Sequence, residues 1–402
     1  MAESEGVRGG AAMTTPALQA VAAAVATASG VPEPRQPTGE IDWGEFLRLV
    51  DLHRIAPLVQ RSGWLTQVGA PQGIQDGVRE RTRSNTRKLL RVAAVQRNVV
   101  EVLAAARVEA LVLKGVTAAI DAHGDPGARF VGDLDLLVAP ASAARAVAAL
   151  RAAGLEWQGW NSSDESFGAT LATDVVERVS RYPAKYDVKF EADGVCVELH
   201  WRLFANPSLM PVDPVWLRRP RHLSAHGARV PALPLSAQWV YTLVHGLKHL
   251  WLRMQWLADV PGLALHHPQL VRRDALEAVG RGYVRSVATG LLVAETVLGP
   301  FLPRGSREWA AGIGGTGVLV RRSLDTLARG PARFGPRRAA GEVVGRMALR
   351  SDIRYRLDEA RLLLLHAALA QEVERPGPGE LAAGPLRWSG RTARRLATRF
   401  DR

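Results

Sequence analysis

The hydrophobic pattern of the chain changes from helical to strand-like near residue 109 and returns to helical at Ser236. Before the change, apolar residues over 92–106 recur every three or four positions, which is the period of an amphipathic helix. After it come short apolar runs bounded by Gly and Pro at 109–115 and 129–140, and two alternating runs within 186–204. Such runs predict strands. The order helices, strands, helices predicts an α+β fold with a small mixed sheet.

The same periods place the expected elements along the chain. Helices are predicted from Ile41 onward and over 74–107, 143–153, 274–298 and 348–373, and loops over 304–317 and 328–341. Ala192-Asp193-Gly194 joins the two alternating runs and predicts a hairpin turn. The pattern therefore divides the chain into five parts: a flexible segment and Pro-rich linker (1–40), a helical region (41–108), a mixed core (109–235), a helical domain (236–373) and a basic tail (374–402).

Composition limits the class of protein. The formal charge is +13, but only five of the 52 basic residues are lysines, and abundant Arg, Ala and Gly together fit GC-rich codon usage. The charge predicts affinity for polyanions, with the basic tail as a contact, without by itself indicating nucleic-acid binding. Cys196 is the single cysteine, so no intramolecular disulfide is possible and a reducing cytoplasm is expected. No apolar run is as long as a membrane span, so no membrane partner is expected.

Two aspartates stand two positions apart inside an apolar run, in RFVGDLDLLVAP. Because side chains alternate faces along a strand, Asp133 and Asp135 point the same way. Two carboxylates on one face repel each other, and a divalent cation between them removes the repulsion. Mg²⁺ prefers one or two protein carboxylates together with substrate phosphate oxygens. The alternative is that both aspartates face solvent on an edge strand, because a D-x-D sequence alone is common.

A third carboxylate stands in a later strand, in VCVELHW. Cys196, Glu198 and His200 share one face of that strand, opposite its apolar positions. Glu198 is therefore the best candidate to complete a metal site with Asp133 and Asp135. His200 lies on the face of Glu198 and is either a substrate contact or a core histidine.

The Lys114-Gly115 step ends one predicted strand and opens a helix. Backbone N–H groups and the helix dipole attract phosphate at such a place, and Lys114 adds a positive charge. Arg129, just before the D-x-D strand, either contacts phosphate or pairs with an acid. The alternative for Lys114 is an ordinary lysine at a strand end.

Together, the segments LVLKG, ARFVGDLDLLV and CVELHWRL resemble the uncharacterised nucleotidyltransferase family within the polymerase-β-like nucleotidyltransferase superfamily. The helical segments IDWGEFLRLVDLHRIAPLV and VHGLKHLWLRMQWLADV are similar to that family as well, so the resemblance covers about residues 41–300. It implies a polymerase-β-like nucleotidyltransferase core with a small mixed sheet, flanked by N- and C-terminal helical regions. It also implies an NTP substrate and two Mg²⁺ ions.

The implied reaction is the transfer of an NMP from the NTP to an acceptor hydroxyl, with release of pyrophosphate. The implied catalytic metal ligands are Asp133, Asp135 and Glu198, and the implied nucleotide contacts are Lys114, Gly115, Arg129 and His200. In one respect the chain departs from the superfamily: Lys114-Gly115-Val116 replaces the usual Gly-Ser step, which removes a hydroxyl that would contact the triphosphate. The long segment before Asp133 predicts an additional helix over 116–123.

Other functions fit parts of the sequence. A non-catalytic nucleotide- or RNA-binding protein on the same fold is favoured by the basic tail and the missing serine. A zinc hydrolase would use His245 and His249, four positions apart on one helical face, but the metalloprotease glutamate is absent, and packed histidines are the simpler interpretation. Asp259, at the end of the same helical stretch, orients Lys248 or an arginine, or is a surface acid. The acceptor stays open among small molecules, peptides, proteins and RNA.

Overall fold

The computed structural model describes residues 15–160, 186–280, 282–330, 345–350 and 352–373. The chain divides into two compact units. The first unit comprises Met1–Ala94, Val112–Gly132 and Arg221–Gly330, and the second comprises Val95–Leu111, Asp133–Pro220 and Pro331–Arg402. Both units are built from segments that are distant in sequence, so the five-part linear division stays a prediction.

Helices make up most of the described chain. They are α1 (Pro16–Ala28), α2 (Trp43–His53), α3 (Ala56–Ser62), α4 (Trp64–Gln67), α5 (Gln72–Ala105), α6 (Gly115–His123), α7 (Ala143–Ala152), α8 (Pro214–Arg218), α9 (Leu235–Lys248), α10 (Met254–His266), α11 (Arg273–Ala278), α12 (Val284–Leu298), α13 (Arg304–Gly312), α14 (Thr316–Arg329) and α15 (Ile353–Val373). The helices predicted over 74–107, 116–123 and 143–153 are confirmed within a few residues.

Seven strands among the described residues form a mixed sheet. They are β1 (Ala110–Leu113), β2 (Asp133–Val138), β3 (Glu156–Trp160), β4 (Asp187–Ala192), β5 (Val195–His200), β6 (Arg221–Ala225) and β7 (Ala228–Ala232), in the order β3-β4-β5-β2-β1-β7-β6. The pairs β2/β5 and β1/β7 are parallel, whereas β3/β4, β4/β5 and β6/β7 are antiparallel. The described structure is thus mixed α/β, as expected, and a specific polymerase-β-like core stays a prediction.

The hairpin β4–β5 is confirmed, and its turn explains the register. Asp193 and Gly194 have φ values of +48° and +70°, the left-handed conformation that a two-residue hairpin turn requires. The turn sets Ala192 opposite Val195 and, further along, Lys189 opposite Glu198. The turn residues therefore fix which side chains of β4 stand beside the Glu198 face of β5.

Helix α1 lies in the segment 1–40 that was expected to be flexible, although the Thr15-Pro16 step predicts a helix start. Thr15 caps it, because its hydroxyl accepts from the Leu18 backbone N–H at 3.3 Å, and Pro16 occupies the first helical position. The seven residues Ala20 to Ala26 are at most 1% exposed. This stretch is therefore a packed helix of the first unit.

Three further expectations need correction. The loop predicted over 304–317 contains α13, because Ser306, Trp309 and Ala310 bury one face of a regular helix despite the glycines around them. The single helix predicted over 274–298 is two helices, α11 and α12, separated by a segment that contains Gly280 and Gly282. The hairpin β6–β7 was not anticipated, although His226-Gly227 forms a turn with positive φ at both residues. The loop predicted over 328–341 lies mostly outside the described residues.

Candidate functional site

Strands β2 and β5 run parallel and bring two predicted site residues into direct register. Asp135 is the Cα partner of Glu198, and Asp133 is the partner of Cys196. Paired positions on neighbouring strands share a face of the sheet, so both aspartates lie on the face that carries Glu198 and His200. Asp135 is only 3% exposed, so its carboxylate is buried on this face. The structure thus brings together two of the three predicted carboxylates.

His200 joins the same cluster. Its Nε2 lies 3.0 Å from Asp135 Oδ1 and 3.5 Å from Glu198 Oε2. Asp135, Glu198 and His200 each offer one ligand atom, and these atoms lie within 4.8 Å of one another. We call these three residues the carboxylate cluster. Two carboxylates and an imidazole are donors that suit a divalent cation.

Hydrogen bonding to the acids changes the charge state of His200. Burial opposes the imidazolium, but the hydrogen bonds that His200 donates to Asp135 and Glu198 outweigh it and raise the pKa of His200 to about 9. In the absence of a cation, His200 therefore carries a proton at neutral pH and neutralises part of the acidic charge.

Asp133 lies at the edge of the cluster. It is the first residue of β2 and is exposed, and it is not one of the three residues within 4.8 Å. Its charge still reaches Cys196. Burial and then Glu198 raise the pKa of that thiol to about 12, with a smaller contribution from Asp133. Cys196 therefore stays a neutral thiol, and the role of Asp133 as a metal ligand stays a prediction.

Lys189 belongs to the site, although sequence reasoning missed it. Its Nζ lies 2.7 Å from Glu198 Oε1, and its side chain is 28% exposed. Burial opposes the ammonium charge, but Glu198 outweighs burial and raises the pKa of Lys189. The signal was present in the sequence: a two-residue turn at Asp193-Gly194 fixes a register that pairs Lys189 with Glu198. Glu198 is thus held by one cation from β4 and one from its own strand.

In the first unit, the Lys114-Gly115 step has an uncommon backbone. Lys114 precedes α6 with φ +52°, and Gly115 opens the helix with φ +45°. A Cβ added at Gly115 would meet no atom within 4 Å, so space is open beside this residue. Thr117 closes the first turn, because its hydroxyl donates to the Lys114 carbonyl at 2.7 Å. The glycine is needed for the conformation, and the open space leaves room for a ligand.

Arg129 forms a buried ion pair with Asp259. Arg129 Nε donates to both carboxylate oxygens of Asp259, at 3.2 and 3.0 Å. His123 Nε2 lies 3.2 Å from Asp259 Oδ1. Arg129 is 6% exposed and Asp259 is 1% exposed. Asp259 therefore orients an arginine, as one of the alternatives held, and a phosphate contact of Arg129 stays a prediction.

Of the two histidines of HGLKH, His245 lies on α9 and His249 directly follows the helix, and their rings are in contact at a tilted angle. The ring centroids of His245 and His249 are 4.8 Å apart, and both rings contact Trp256 of α10. Among the described residues, no third His, Cys, Asp or Glu completes a metal-binding group with them. This geometry gives no support to a zinc centre at this place.

Comparison with known proteins adds one match. A family model described as an uncharacterised nucleotidyltransferase matches residues 39–299. These residues contain Asp133, Asp135, Glu198 and His200, and also α9 and α10. A search of curated proteins finds no significant match. In the described part of the chain, no helix has both the length and the apolar character needed to cross a bilayer.

Proposed function

The chain belongs to the uncharacterised nucleotidyltransferase family, and from this premise we propose that it transfers a nucleoside monophosphate from an NTP to an acceptor hydroxyl. The acceptor oxygen forms a bond to the α-phosphorus, the bond from that phosphorus to pyrophosphate breaks, and the hydroxyl proton leaves to solvent. One observation carries the proposal: Asp135, Glu198 and His200 meet on two parallel strands. Paired carboxylates such as Asp135 and Glu198 suit the divalent ion that phosphoryl-group chemistry on an NTP requires.

Within this proposal, each side chain of the site has a role. Asp135 and Glu198 hold the ion, with Asp133 as a further ligand. When bound, Mg²⁺ acts as a Lewis acid on phosphate oxygens and offsets the charge of the leaving pyrophosphate. The count of two ions rests on the family resemblance. His200 keeps Asp135 in place through its 3.0 Å hydrogen bond. We assign no protein base for the acceptor hydroxyl.

The proposed nucleotide contacts in the first unit are Lys114, Gly115 and Arg129. Two observations support the Lys114-Gly115 step: the open space beside Gly115 and its position at the N-terminus of α6, where amides attract phosphate. Arg129 is the weaker candidate for a phosphate contact, because its Nε already donates a hydrogen bond to Asp259. The acceptor class and the choice of NTP are left to experiment.

Labelled nucleotides test the function directly. The full chain is incubated with Mg²⁺ and each NTP, labelled in one arm at the α-phosphate and in another at the γ-phosphate, with and without a metabolite extract. Mass detection of a product that gains an NMP, together with released pyrophosphate, supports the proposal. Transfer of the γ label would contradict it, because that outcome is phosphoryl transfer. Tight Mg·NTP binding without any product would favour the non-catalytic nucleotide-binding alternative.

Replacing Lys189 separates its effect on the metal from its effect on the fold. In Lys189→Met, Glu198 loses an ammonium that competes with a cation for the same oxygen. A partly exposed ion pair is worth up to about 1 kcal/mol, so Mn²⁺ alone should bind about fivefold more tightly, as measured by electron paramagnetic resonance titration. Without metal, the variant should melt at a lower temperature than wild type.

The conservative variant Lys189→Arg is the control, because it keeps the charge opposite Glu198. Its Mn²⁺ affinity should stay close to wild type. If Lys189→Met lowers the melting temperature while the Mn²⁺ affinity is unchanged or weaker, Lys189 is only a structural partner of Glu198.

Gly115→Asn should weaken NTP binding by at least about tenfold, or about 1.4 kcal/mol. Asparagine tolerates a positive φ better than other side chains, so the fold should survive, whereas a valine there would add backbone strain. The new side chain would occupy the open space beside the first amides of α6. Calorimetric titration with Mg·NTP measures the loss.

The matched control stands at the other end of the same helix. Gly124 also has a positive φ, +67°, and open space at its Cβ position. Gly124→Asn should leave NTP affinity unchanged. If Gly115→Asn, Gly124→Asn and wild type bind NTP with equal affinity, Gly115 does not contact the phosphates.

A further inference from the structure

Aromatic side chains around the junction of α9 and α10 are of two kinds. Trp239 and Trp251 are at most 2% exposed and belong to the core. His245, His249 and Trp256 are each partly exposed, and we call these three the ring cluster. Their ring centroids lie 4.8 Å (His245–His249), 5.1 Å (His245–Trp256) and 5.2 Å (His249–Trp256) apart. The three residues of the ring cluster therefore pack together, and each keeps part of its surface accessible.

A tight turn between the two helices holds the ring cluster in place. Leu250 and Trp251 have φ values of +49° and +53°, which cost about 1 kcal/mol or more each in a non-glycine residue. Trp251 N–H donates to the Gly246 carbonyl at 2.8 Å, and a Cβ at Gly246 would lie 2.3 Å from the Trp251 ring. Packing of Trp251 over Gly246 thus maintains the strained turn and sets α10 against α9. Trp256 then lies beside the two imidazoles.

Positive charges act on His245 in the ring cluster. Burial holds the pKa of His245 well below its ordinary value, and the charges of Lys114, Lys248 and Arg129, with His249, lower it further. His245 is therefore neutral at physiological pH, with one N–H available as a donor. Positive charges such as those of Lys114 and Lys248 disfavour a metal cation at the two histidines and favour an anion. This is the physical reason to set the zinc alternative aside.

We propose that the ring cluster, together with Lys248 and Lys114, is a binding site for phosphate groups. The ammonium groups supply charge, and the imidazoles and the indole supply N–H donors. Phosphate fits better than a carboxylate because it carries more charge and accepts from donors on several sides. The phosphate belongs either to the polyphosphate chain of a nucleotide or to a phosphorylated acceptor. The site needs no divalent ion, so the proposal stands whether or not the chain transfers nucleotides.

Inorganic tripolyphosphate tests the site without metal or nucleotide. Calorimetry of the full chain in EDTA at about 0.15 M salt, where distant charges are screened, measures its affinity. The double variant Lys248→Ala/His249→Gln should bind at least tenfold more weakly than wild type, and His249→Gln alone should show part of the loss while keeping the fold. Lys88→Ala and His267→Gln remove similar groups elsewhere in the first unit and should bind within twofold of wild type.

Two further arms complete the experiment. Asp135→Asn should bind tripolyphosphate as wild type does, because no metal is present, so loss of nucleotidyl transfer and loss of this site are distinguishable. Ribose 5-phosphate replaces tripolyphosphate in the second arm: tighter binding of the polyphosphate assigns the site to a nucleotide, and tighter binding of the monoester assigns it to an acceptor. The proposal is overturned if wild type binds neither compound, or if the double variant binds both as tightly as the Lys88→Ala control.

Discussion

Asp135→Asn should reduce nucleotidyl transfer by at least about a thousandfold, because a metal that offsets the charge of a leaving phosphate is worth several kcal/mol and each 1.4 kcal/mol is tenfold in rate. The side chain is 3% exposed and lies 3.0 Å from His200. Asparagine has the same shape and still offers an oxygen to His200, so the fold should persist. Only the negative charge and one strong metal ligand are lost. Steady-state assays with labelled NTP measure the rate, and Mn²⁺ titration measures binding.

Two variants on the same face of the sheet act as comparisons. Glu191→Gln removes an exposed acid opposite Cys196 and should leave Mn²⁺ affinity almost unchanged. Asp133→Asn should have an intermediate effect, because Asp133 is exposed and lies outside the group within 4.8 Å. If Asp135→Asn binds Mn²⁺ as tightly as Glu191→Gln does, the metal site is elsewhere. If Asp133→Asn matches wild type, the third ligand of the predicted triad is wrong.

Local patterns predicted the strands and side-chain faces of the site. The alternation in VCVELHW placed Glu198 and His200 on one face of their strand, and the D-x-D spacing placed Asp133 and Asp135 together on one face of theirs. The turn at Asp193-Gly194 predicted the hairpin. None of these signals determines that β2 and β5 are parallel neighbours, since 63 positions separate Asp135 from Glu198 and strand pairing over that distance depends on the whole sheet. The polar face of VCVELHW suggested Glu198 as a partner for the two aspartates, and the family resemblance implied the same three carboxylates.

Other features depend on contacts that a sequence does not display. Helix α13 forms in a glycine-containing stretch because Trp309 and Ala310 are buried, so tertiary packing overrides low helix propensity. The partner of Arg129 was left open between a phosphate and an acid. Asp259 lies 130 positions away, and only the packing of α6 against α10 brings them together. The packed helix α1 was missed as a core element because alanine-rich helices give a weak amphipathic signal.

Asp259→Asn should lower the free energy of unfolding by about 3–5 kcal/mol, because it leaves the buried guanidinium of Arg129 without its counter-ion. Arg129 donates to both oxygens of Asp259, and His123 contacts the same carboxylate. Asparagine preserves the shape and one acceptor but not the charge. The first unit carries this ion pair, so its melting temperature should fall by about 10 °C. Thermal unfolding monitored by circular dichroism and by tryptophan fluorescence measures the change.

An exposed ion pair in the same unit provides the matched control. Arg61 Nη1 lies 3.0 Å from Asp125 Oδ2, and the two side chains are 43% and 48% exposed. Asp125→Asn removes the same charge and should cost less than about 1 kcal/mol.

The double variant Arg129→Met/Asp259→Leu removes both buried charges and should recover most of the stability lost in Asp259→Asn, since an apolar pair needs no counter-ion. Equal stability of Asp259→Asn and Asp125→Asn would contradict a structural role for the buried pair. If Asp259→Asn keeps its stability but loses tripolyphosphate binding, the role of Asp259 is instead to hold the ring cluster in position.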